Sequence, residues 1–202
     1  MQIKTKIVAA VAIMSLLMIV IGVIGLVGFR QSNKELEQVY SVNIKNSGLL
    51  NKIDGLMRAN RIQMLLALQH DPKNEFSVLH EHPTEAHTDL AKKYVEEIER
   101  YWKDYSASIT SQEGRKLADA FQQERTKYEK NGLEAAIKAV LANDFHETYR
   151  ITFDVINPTI KNANQAMEAL MQYEANQAKA VHERAEERST LFRNLIVAAI
   201  RS

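Results

Sequence analysis

The chain has 202 residues, with 26 lysines and arginines against 25 aspartates and glutamates, so its formal net charge is +1. This balance excludes the basic footprint of a nucleic-acid-binding protein, and the absence of cysteine excludes disulfides and thiolate metal ligands. Seven glycines and three prolines are few for this length, which predicts a mostly helical protein.

The apolar run Ile7–Phe29 contains no charged residue. At about 1.5 Å per residue it is long enough to cross a hydrocarbon core of about 30 Å. We predict an uncleaved transmembrane helix over 7–29, with a cytoplasmic N-terminus at 1–6 because Lys4 and Lys6 precede the run. The alternative is a cleavable signal peptide, whose apolar region is usually about 7–15 residues and ends at a small-residue site. This run is longer, and it ends in Gly28-Phe29-Arg30.

Four apolar stripes with helical spacing follow the span. We predict helices from Gln31 to about His70, continuous with the span; from Pro83 onward; from about Gln112 to Ala142; and after a turn at Asn143-Asp144. The predicted stripes are Leu36, Val39, Leu50, Ile53, Met57, Met64 and Leu68; then Leu90, Tyr94, Ile98, Tyr101 or Trp102, and Tyr105; then Leu117, Phe121, Tyr128, Leu133, Ile137 and Val140; and finally Tyr149, Phe153, Ile156, Ile160, Ala163, Met167 and Leu170.

Polar residues and proline mark the connections and one interruption. Asp71–Asn74 is predicted to end the first helix in a turn, and Ser106–Gln112 is predicted to be a loop in which Ser111 caps the next helix. Pro158 lacks a backbone donor, so it is expected to kink or break the fourth helix. Asn60 falls on the first stripe and is predicted to be a buried polar group that sets register.

The end of the chain suggests a return to the membrane. Residues Thr159–Ile200 contain neither glycine nor proline, which predicts one unbroken helix. An apolar run then begins at Leu195, and we predict that 195–202 is the truncated start of a second transmembrane helix. The alternative is a natural C-terminus with a single span. Residues 30–194 are predicted to form an all-α, up-down-up-down four-helix bundle.

Three features together resemble a known family. They are the span, a long helix that carries Leu-Met-Arg-Ala-Asn-Arg-Ile-Gln at 56–63, and Asn157-Pro158-Thr159 on the fourth helix. Over its whole length the chain resembles the sensor half of a bacterial methyl-accepting chemotaxis receptor, in the four-helix-bundle class of the aspartate and serine receptors. The resemblance implies a periplasmic homodimer anchored in the inner membrane, which binds a small amino acid or organic acid and signals through a cytoplasmic domain that this sequence lacks. Sensor histidine kinases and some cyclases share the architecture, so the output domain stays open.

The resemblance also implies site residues. The family's aspartate pocket uses three arginines on the first helix and a threonine just after a proline on the fourth. Arg61 matches the first arginine and Thr159 matches the threonine, whereas Leu66 and His70 occupy the other two arginine positions, which argues against aspartate. Other members bind di- or tricarboxylates within one protomer through Arg and Tyr on the third helix. Arg125 and Tyr128 fit that pattern loosely.

The chemistry of these side chains favours a carboxylate. Arginine presents a planar fork that matches a carboxylate, and a helix interrupted at Pro158 would leave backbone donors free near Thr159. We therefore expect a small carboxylate ligand. Its candidate contacts are Arg61, Thr159, Arg125, Tyr128, His70 and Tyr149. The competing interpretation is structural: Arg61 would pair with a glutamate at a bundle or dimer seam, and the tyrosines would pack in the core.

No feature indicates an enzyme. The sequence contains no Gly-rich phosphate loop, no His-Glu-x-x-His and no nucleophile elbow. His70, His80, His82 and His87 are predicted to lie near one end of the bundle, and His82 and His87 with Glu85 could in principle hold a divalent metal. Their spacing matches no defined site, so we expect a solvated loop, no metal and no cofactor. The alternative function is a membrane-anchored scaffold that recognises another periplasmic protein.

Overall fold

The structure, a computed structural model, describes residues 3–38 and 43–201. It is helical almost throughout, and no strand occurs among these described residues. The chain divides into two compact units, one formed by Met1–Ile44 with Asn176–Ser202 and the other by Lys45–Ala175.

Four long helical rods form the bundle; the first three lie within the unit Lys45–Ala175, and the fourth continues beyond Ala175. The elements are α2 (Lys45–Ala67); α3 (Glu85–Ser108); a third rod of α4 (Gln112–Lys127), a π-helical segment (Tyr128–Leu133) and α5 (Glu134–Leu141); and a fourth rod of α6 (Phe145–Ile151), a second π-helical segment (Thr152–Ile156) and α7 (Asn157–Arg201). Neighbouring rods run antiparallel: the connections 109–111 and 142–144 hold three residues each, and a longer connection, 71–84, joins the first two rods. This confirms the predicted all-α four-helix bundle.

The connections define two ends of the bundle, called here the tip and the base. The tip contains the connection 71–84, with a short 3-10 helix at Glu75–Leu79, and the turn at 142–144. The predicted turn at Asn143-Asp144 is confirmed, and Asn143 adopts a left-handed φ of 57° there. The base contains the connection 109–111. A small apolar cluster closes the tip, formed by Ala67, Leu68, Val140 and Phe145.

The predicted apolar stripes account for most of the core. The fully buried members that we predicted on the first three rods are Leu50, Ile53, Met57, Met64, Ile98, Tyr105, Phe121, Tyr128, Leu133 and Val140. Asn60 is also fully buried, and neither polar atom of its side chain has a hydrogen-bond partner. The two π-helical segments meet inside this core. A Cβ added at Gly132 would lie 2.9 Å from Cγ1 of Ile156, so glycine permits this close approach.

The fourth rod corrects two predictions about its buried face. Tyr149 and Phe153 were expected on the buried stripe, but they are 40% and 56% exposed. A π turn holds one residue more than an α turn. The segment Thr152–Ile156 therefore shifts the buried face before it by one position, and Thr148 and Thr152 are buried instead.

Two boundaries also differ from the sequence prediction. The loop predicted at Ser106–Gln112 is shorter, because α3 continues to Ser108. The predicted cap at Ser111 is confirmed, since its hydroxyl accepts a 2.9 Å hydrogen bond from the Gly114 amide. Pro158 does not break the fourth rod. It is the second residue of α7, and the irregular turn is the π-helical segment before it.

In the other unit, α1 spans Ile3–Gln38. Within the described residues, Ile3–Lys34 is the one helix long and apolar enough to cross a membrane. Several predictions fall outside the described residues: Met1 and Gln2 of the N-terminal segment, Val39, the continuity of the first helix across 39–42, and Ser202. The side chains of Leu36, Ile196, Ala199 and Ile200 are likewise not described.

Candidate functional site

Arg61 lies on α2 with its side chain half-buried. Its Nε–H donates a 2.8 Å hydrogen bond to Oδ1 of Asn157. Within the described chain no carboxylate forms an ion pair with Arg61, whereas Arg58, on the same helix, pairs with Asp54 at 2.9 Å. Because the bond to Asn157 uses only Nε, the two terminal nitrogens of Arg61 remain available as a fork for a planar anion.

Asn157, Pro158 and Thr159 form the first turn of α7, directly after the second π-helical segment. The backbone N–H of Asn157 donates a hydrogen bond to the carbonyl of Thr152. The hydroxyl of Thr159 donates to the carbonyl of Val155 at 2.6 Å. The expectation that a break at Pro158 frees backbone donors near Thr159 is therefore wrong at Asn157, because the π turn keeps its amide bonded.

Tyr128 lies in the core beside this region. Its hydroxyl donates a 3.3 Å hydrogen bond to the carbonyl of Met57, one turn before Arg61 on α2. Burial raises the pKa of Tyr128, and the nearby positive charge of Arg61 acts in the opposite direction. Tyr128 is therefore a neutral hydrogen-bond donor at neutral pH, placed close to the Arg61 guanidinium.

Arg125 lies one turn before Tyr128 but faces a different helix. Its side chain is only 2% exposed, and it pairs with Glu99 of α3 at 2.7 Å and with Glu129 at 3.4 Å. Its guanidinium also lies over the ring of Trp102, 5.7 Å from the centroid. Burial raises the pKa of Glu129, against the effect of Arg125. The predicted ligand contact of Arg125 stays a prediction; the described contacts join it to α3.

Tyr149 occupies the outer face of α6, where its ring stacks on Phe153 with centroids 6.4 Å apart. No described contact joins Tyr149 to Arg61 or Thr159. Its role as a hydroxyl donor to a ligand likewise stays a prediction.

His70 ends the 3-10 turn after α2, and it lies among three other imidazoles at the tip. Its ring centroid is 4.1 Å from that of His80, 5.1 Å from that of His82 and 5.2 Å from that of His87. Burial lowers the pKa of His70 and that of His87, and the neighbouring imidazoles act in the same direction. The structure thus groups His70 with the tip histidines, apart from Arg61.

The residues brought together are Arg61, Asn157 and Tyr128, called here the Arg61 site, with Thr159 two residues beyond Asn157. From the sequence, Asn157 was noted only as part of the motif Asn157-Pro158-Thr159, and no contact was predicted for it. The signal that would have found it is its position just before Pro158, opposite Arg61 on the neighbouring rod. Chemically, the site offers an oriented cation with two free donors beside a neutral phenol.

A second polar group, at the base, was not predicted at all. The carboxylate of Glu174 accepts hydrogen bonds from the Tyr105 hydroxyl at 3.1 Å and from the Asn46 amide at 3.2 Å. Ser108 donates to Asn46 at 2.9 Å. Burial raises the pKa of Glu174, whereas the bonds from Tyr105 and Asn46 act in the opposite direction. These side chains come from three rods, so no local pattern in the sequence indicates that they meet.

Comparison with known proteins identifies the family. A family model described as Tar ligand binding domain homologue, TarH, matches residues 1–178. No curated protein and no solved structure gave a match. The match covers the apolar helix, the first three rods, the fourth rod as far as residue 178, and the Arg61 site. The chain therefore belongs to the Tar ligand-binding domain family, the sensor domains of chemotaxis receptors of the aspartate receptor class.

Proposed function

We propose that this sensor domain binds a small carboxylate, an organic acid or an amino acid, at the Arg61 site. The observation that carries the proposal is the 2.8 Å bond from Arg61 Nε to Asn157, which orients a half-buried guanidinium without neutralising it. A carboxylate would accept two parallel hydrogen bonds from the terminal nitrogens, the strongest geometry available to such a pair.

The number of cations at the site limits the ligand. Leu66 and His70 stand at the other two positions where the aspartate pocket has arginines, and His70 lies with the tip histidines. One cation matches one carboxylate group. We therefore expect monocarboxylates and zwitterionic amino acids to bind better than aspartate, whose second carboxylate would have no cationic partner at this site.

The bond between Arg61 and Asn157 also provides a route for the signal. Asn157 is the first residue of α7, so a ligand that draws Arg61 away from Asn157 changes the link between α2 and α7. Receptor helices respond to ligands with displacements of about 1–2 Å. We propose that α7 carries such a shift along its length, since it continues to Arg201 without a glycine, and with no proline after Pro158.

The membrane placement is part of the same proposal. The span at 7–29 would anchor the receptor in a bacterial inner membrane, with 30–194 in the periplasm and 195–202 entering a second span. A cytoplasmic signalling domain of the methyl-accepting type would follow. We also propose a homodimer that packs along α2, because Ile62, next to Arg61, is 53% exposed. The ligand would then bind near the seam between the protomers.

The test is a ligand screen on the full chain in detergent micelles. Thermal unfolding is measured against a panel of amino acids and organic acids, and hits are quantified by titration calorimetry. Ligand at 100 times its dissociation constant adds about 2.7 kcal/mol of stability. Arg61→Ala should lower the affinity for a ligand found in the screen by about 10- to 100-fold, because a charge-assisted hydrogen bond contributes about 1.5–3 kcal/mol.

Arg58→Ala is the matched control. Arg58 is on the same helix, pairs with Asp54 and is 63% exposed. Its removal should leave affinity unchanged. Equal losses in the two variants, or no carboxylate hit across the panel, would overturn the proposal and favour a protein-borne signal.

A further inference from the structure

The connection between α2 and α3 gathers four histidines at the tip of the bundle. His70 follows α2, His80 and His82 belong to the connection, and His87 lies in the first turn of α3. One ring nitrogen from each residue can be chosen so that all four lie within 4.8 Å of one another. The adjacent rings have centroids 4.1–5.5 Å apart. Imidazole is the side chain most often used to bind transition metals.

Two of the four histidines present buried ring nitrogens without a protein partner. Nε2 of His70 and Nε2 of His87 are both buried and accept or donate no hydrogen bond. A buried polar atom without a partner costs free energy, so its retention in a folded domain points to a ligand that completes it.

Gln63 fixes the orientation of one of these rings. Nδ1–H of His87 donates a 2.8 Å hydrogen bond to Oε1 of Gln63, on α2. This bond places the proton on Nδ1 and leaves the lone pair on Nε2. Metal-binding histidines are held in this way, with one ring nitrogen bonded to a protein acceptor and the other directed at the metal.

We propose that His70, His80, His82 and His87 bind one divalent transition metal ion of the Zn²⁺ class. Four imidazoles match the tetrahedral coordination of Zn²⁺, with nitrogen atoms about 2.0–2.1 Å from the ion. The nitrogens must close in slightly from their present separations. His80 is half-buried and His82 is exposed, so these two side chains can turn towards the ion without disturbing the core. From the sequence alone we expected a solvated loop without metal here, and the one metal set considered was His82 and His87 with Glu85; Glu85 is not a member of the group that the structure forms.

The chemistry of the set gives its selectivity. All four ligands are imidazole nitrogens, which suit Zn²⁺, Cu²⁺ and Ni²⁺, whereas Mg²⁺ and Ca²⁺ prefer carboxylate and carbonyl oxygens. Bound metal would join the end of α2, the connection and the start of α3. The tip would then be more stable with metal than without it. The site is separate from the Arg61 site, and the inference does not depend on the carboxylate proposal.

The experiment measures Zn²⁺ binding to the full chain in detergent micelles, without an affinity tag. Titration calorimetry should give one ion per chain, and Zn²⁺ should raise the melting temperature whereas Mg²⁺ should not. Co²⁺ should give the intense visible absorption of a tetrahedral site. The double variant His80→Ala/His82→Ala removes the two more accessible ligands and should lower the affinity for Zn²⁺ by at least about 100-fold. Gln63→Ala should weaken it by about 10- to 100-fold.

The chain supplies its own matched control. His146 and His182 are its two remaining histidines, both exposed, and neither belongs to the group. His146→Ala/His182→Ala should bind Zn²⁺ as the parent chain does. The inference is overturned if titration calorimetry detects no Zn²⁺ binding to the parent chain with a dissociation constant of about 100 µM or tighter. It is also overturned if the two double variants lose affinity equally. Circular dichroism of each variant establishes that the helices are intact.

Discussion

The Nε–H of Arg61 donates a 2.8 Å hydrogen bond to Oδ1 of Asn157, and this bond joins α2 to the first residue of α7. It is a link between the rod that carries the cation and the rod that continues to Arg201. Two features lie next to this bond: Tyr128, whose hydroxyl donates to the carbonyl of Met57 one turn before Arg61, and the π turn that precedes Asn157. Its removal is therefore expected to change ligand binding without removing the charge.

We predict that Asn157→Ala weakens carboxylate binding by about 3- to 10-fold, less than Arg61→Ala does. The charge of Arg61 remains, but the guanidinium loses the acceptor that orients it, so more conformational entropy is lost when ligand binds. Titration calorimetry with a hit from the screen measures the change. Arg61→Lys should cost more than Asn157→Ala, because lysine also loses the fork. The reverse order would indicate that the fork does not contact ligand.

Arg125→Ala is predicted to destabilise the bundle by about 2–4 kcal/mol, because it leaves the carboxylate of Glu129, only 12% exposed, without its cation. Urea unfolding can be followed by the fluorescence of Trp102, the single tryptophan, which lies in the core. The control is Glu99→Ala. Glu99 is 64% exposed, and its loss should cost less than about 1 kcal/mol. A variant that keeps its stability but loses carboxylate affinity would instead assign Arg125 to the ligand.

The carboxyl of Glu174 is predicted to make stability depend on pH. Burial raises its pKa above the ordinary 4.5, so the folded chain holds this proton at pH values where the unfolded chain has released it. Stability from this group is therefore present at low pH and falls as pH rises from about 4.5 through the folded-state pKa. Glu174→Gln keeps an acceptor for Tyr105 and removes the titration. The stability of the variant relative to the parent should rise between pH 4 and pH 7.

Urea unfolding at several pH values in this range measures that difference. Glu168→Gln is the matched control, because Glu168 is an exposed glutamate on the same helix; its effect on stability should vary little with pH. A Glu174→Gln difference that does not vary with pH would contradict the prediction.

Two glycines offer a paired test of the contact between the π-helical segments. Gly132→Ala should destabilise the bundle by about 1–3 kcal/mol, because the new methyl group would lie 2.9 Å from Cγ1 of Ile156. Gly55→Ala should instead stabilise it by up to about 1 kcal/mol, since an added Cβ there would meet no atom within 4 Å beyond the adjacent residues and backbone of its own helix, and alanine favours a helix. A melting temperature that rises in Gly132→Ala as it does in Gly55→Ala would show that Gly132 has room for a side chain.

Much of this architecture follows from apolar periodicity. Spacings of three and four along α2, from Leu50 through Ile53 and Met57 to Met64, place these side chains on one face, and all four are buried. Asn60 was predicted to be buried on the same argument, and it is. These predictions succeed because a helix fixes which residues share a face before any partner is known.

The predictions that failed depend on departures from α-helical geometry. Tyr149 and Phe153 continue the stripe of the fourth rod only if every turn is α-helical, and the π turn at Thr152–Ile156 shifts the buried face away from them. On the third rod, the step of five residues from Tyr128 to Leu133 is the trace of the other π turn. In the sequence, a step of five differs little from the usual three or four, so apolar periodicity alone does not distinguish a π turn from an α-helical stripe that lacks one apolar residue.

The candidate site could be predicted only in part. Arg61 and Thr159 were selected by family resemblance, and the structure places them near Asn157. The pairing of Arg61 with Asn157 joins residues 96 positions apart. The four tip histidines meet because the connection from α2 to α3 folds back on itself. Contacts of this kind depend on tertiary packing and leave no periodic signal.

The π turn at Thr152–Ile156 adds one residue to the length of the fourth rod. An i→i+5 turn holds one residue more than an i→i+4 turn. The fourth rod therefore has one extra residue between the buried face of α6 and the buried face of α7, and both faces pack against the core. Deleting one exposed residue from this segment would close an α turn and leave Thr148 before it and Ile160 after it on their present faces. A shorter relative would then align with this chain through a gap of one residue at this place, with the same bundle on both sides of the gap.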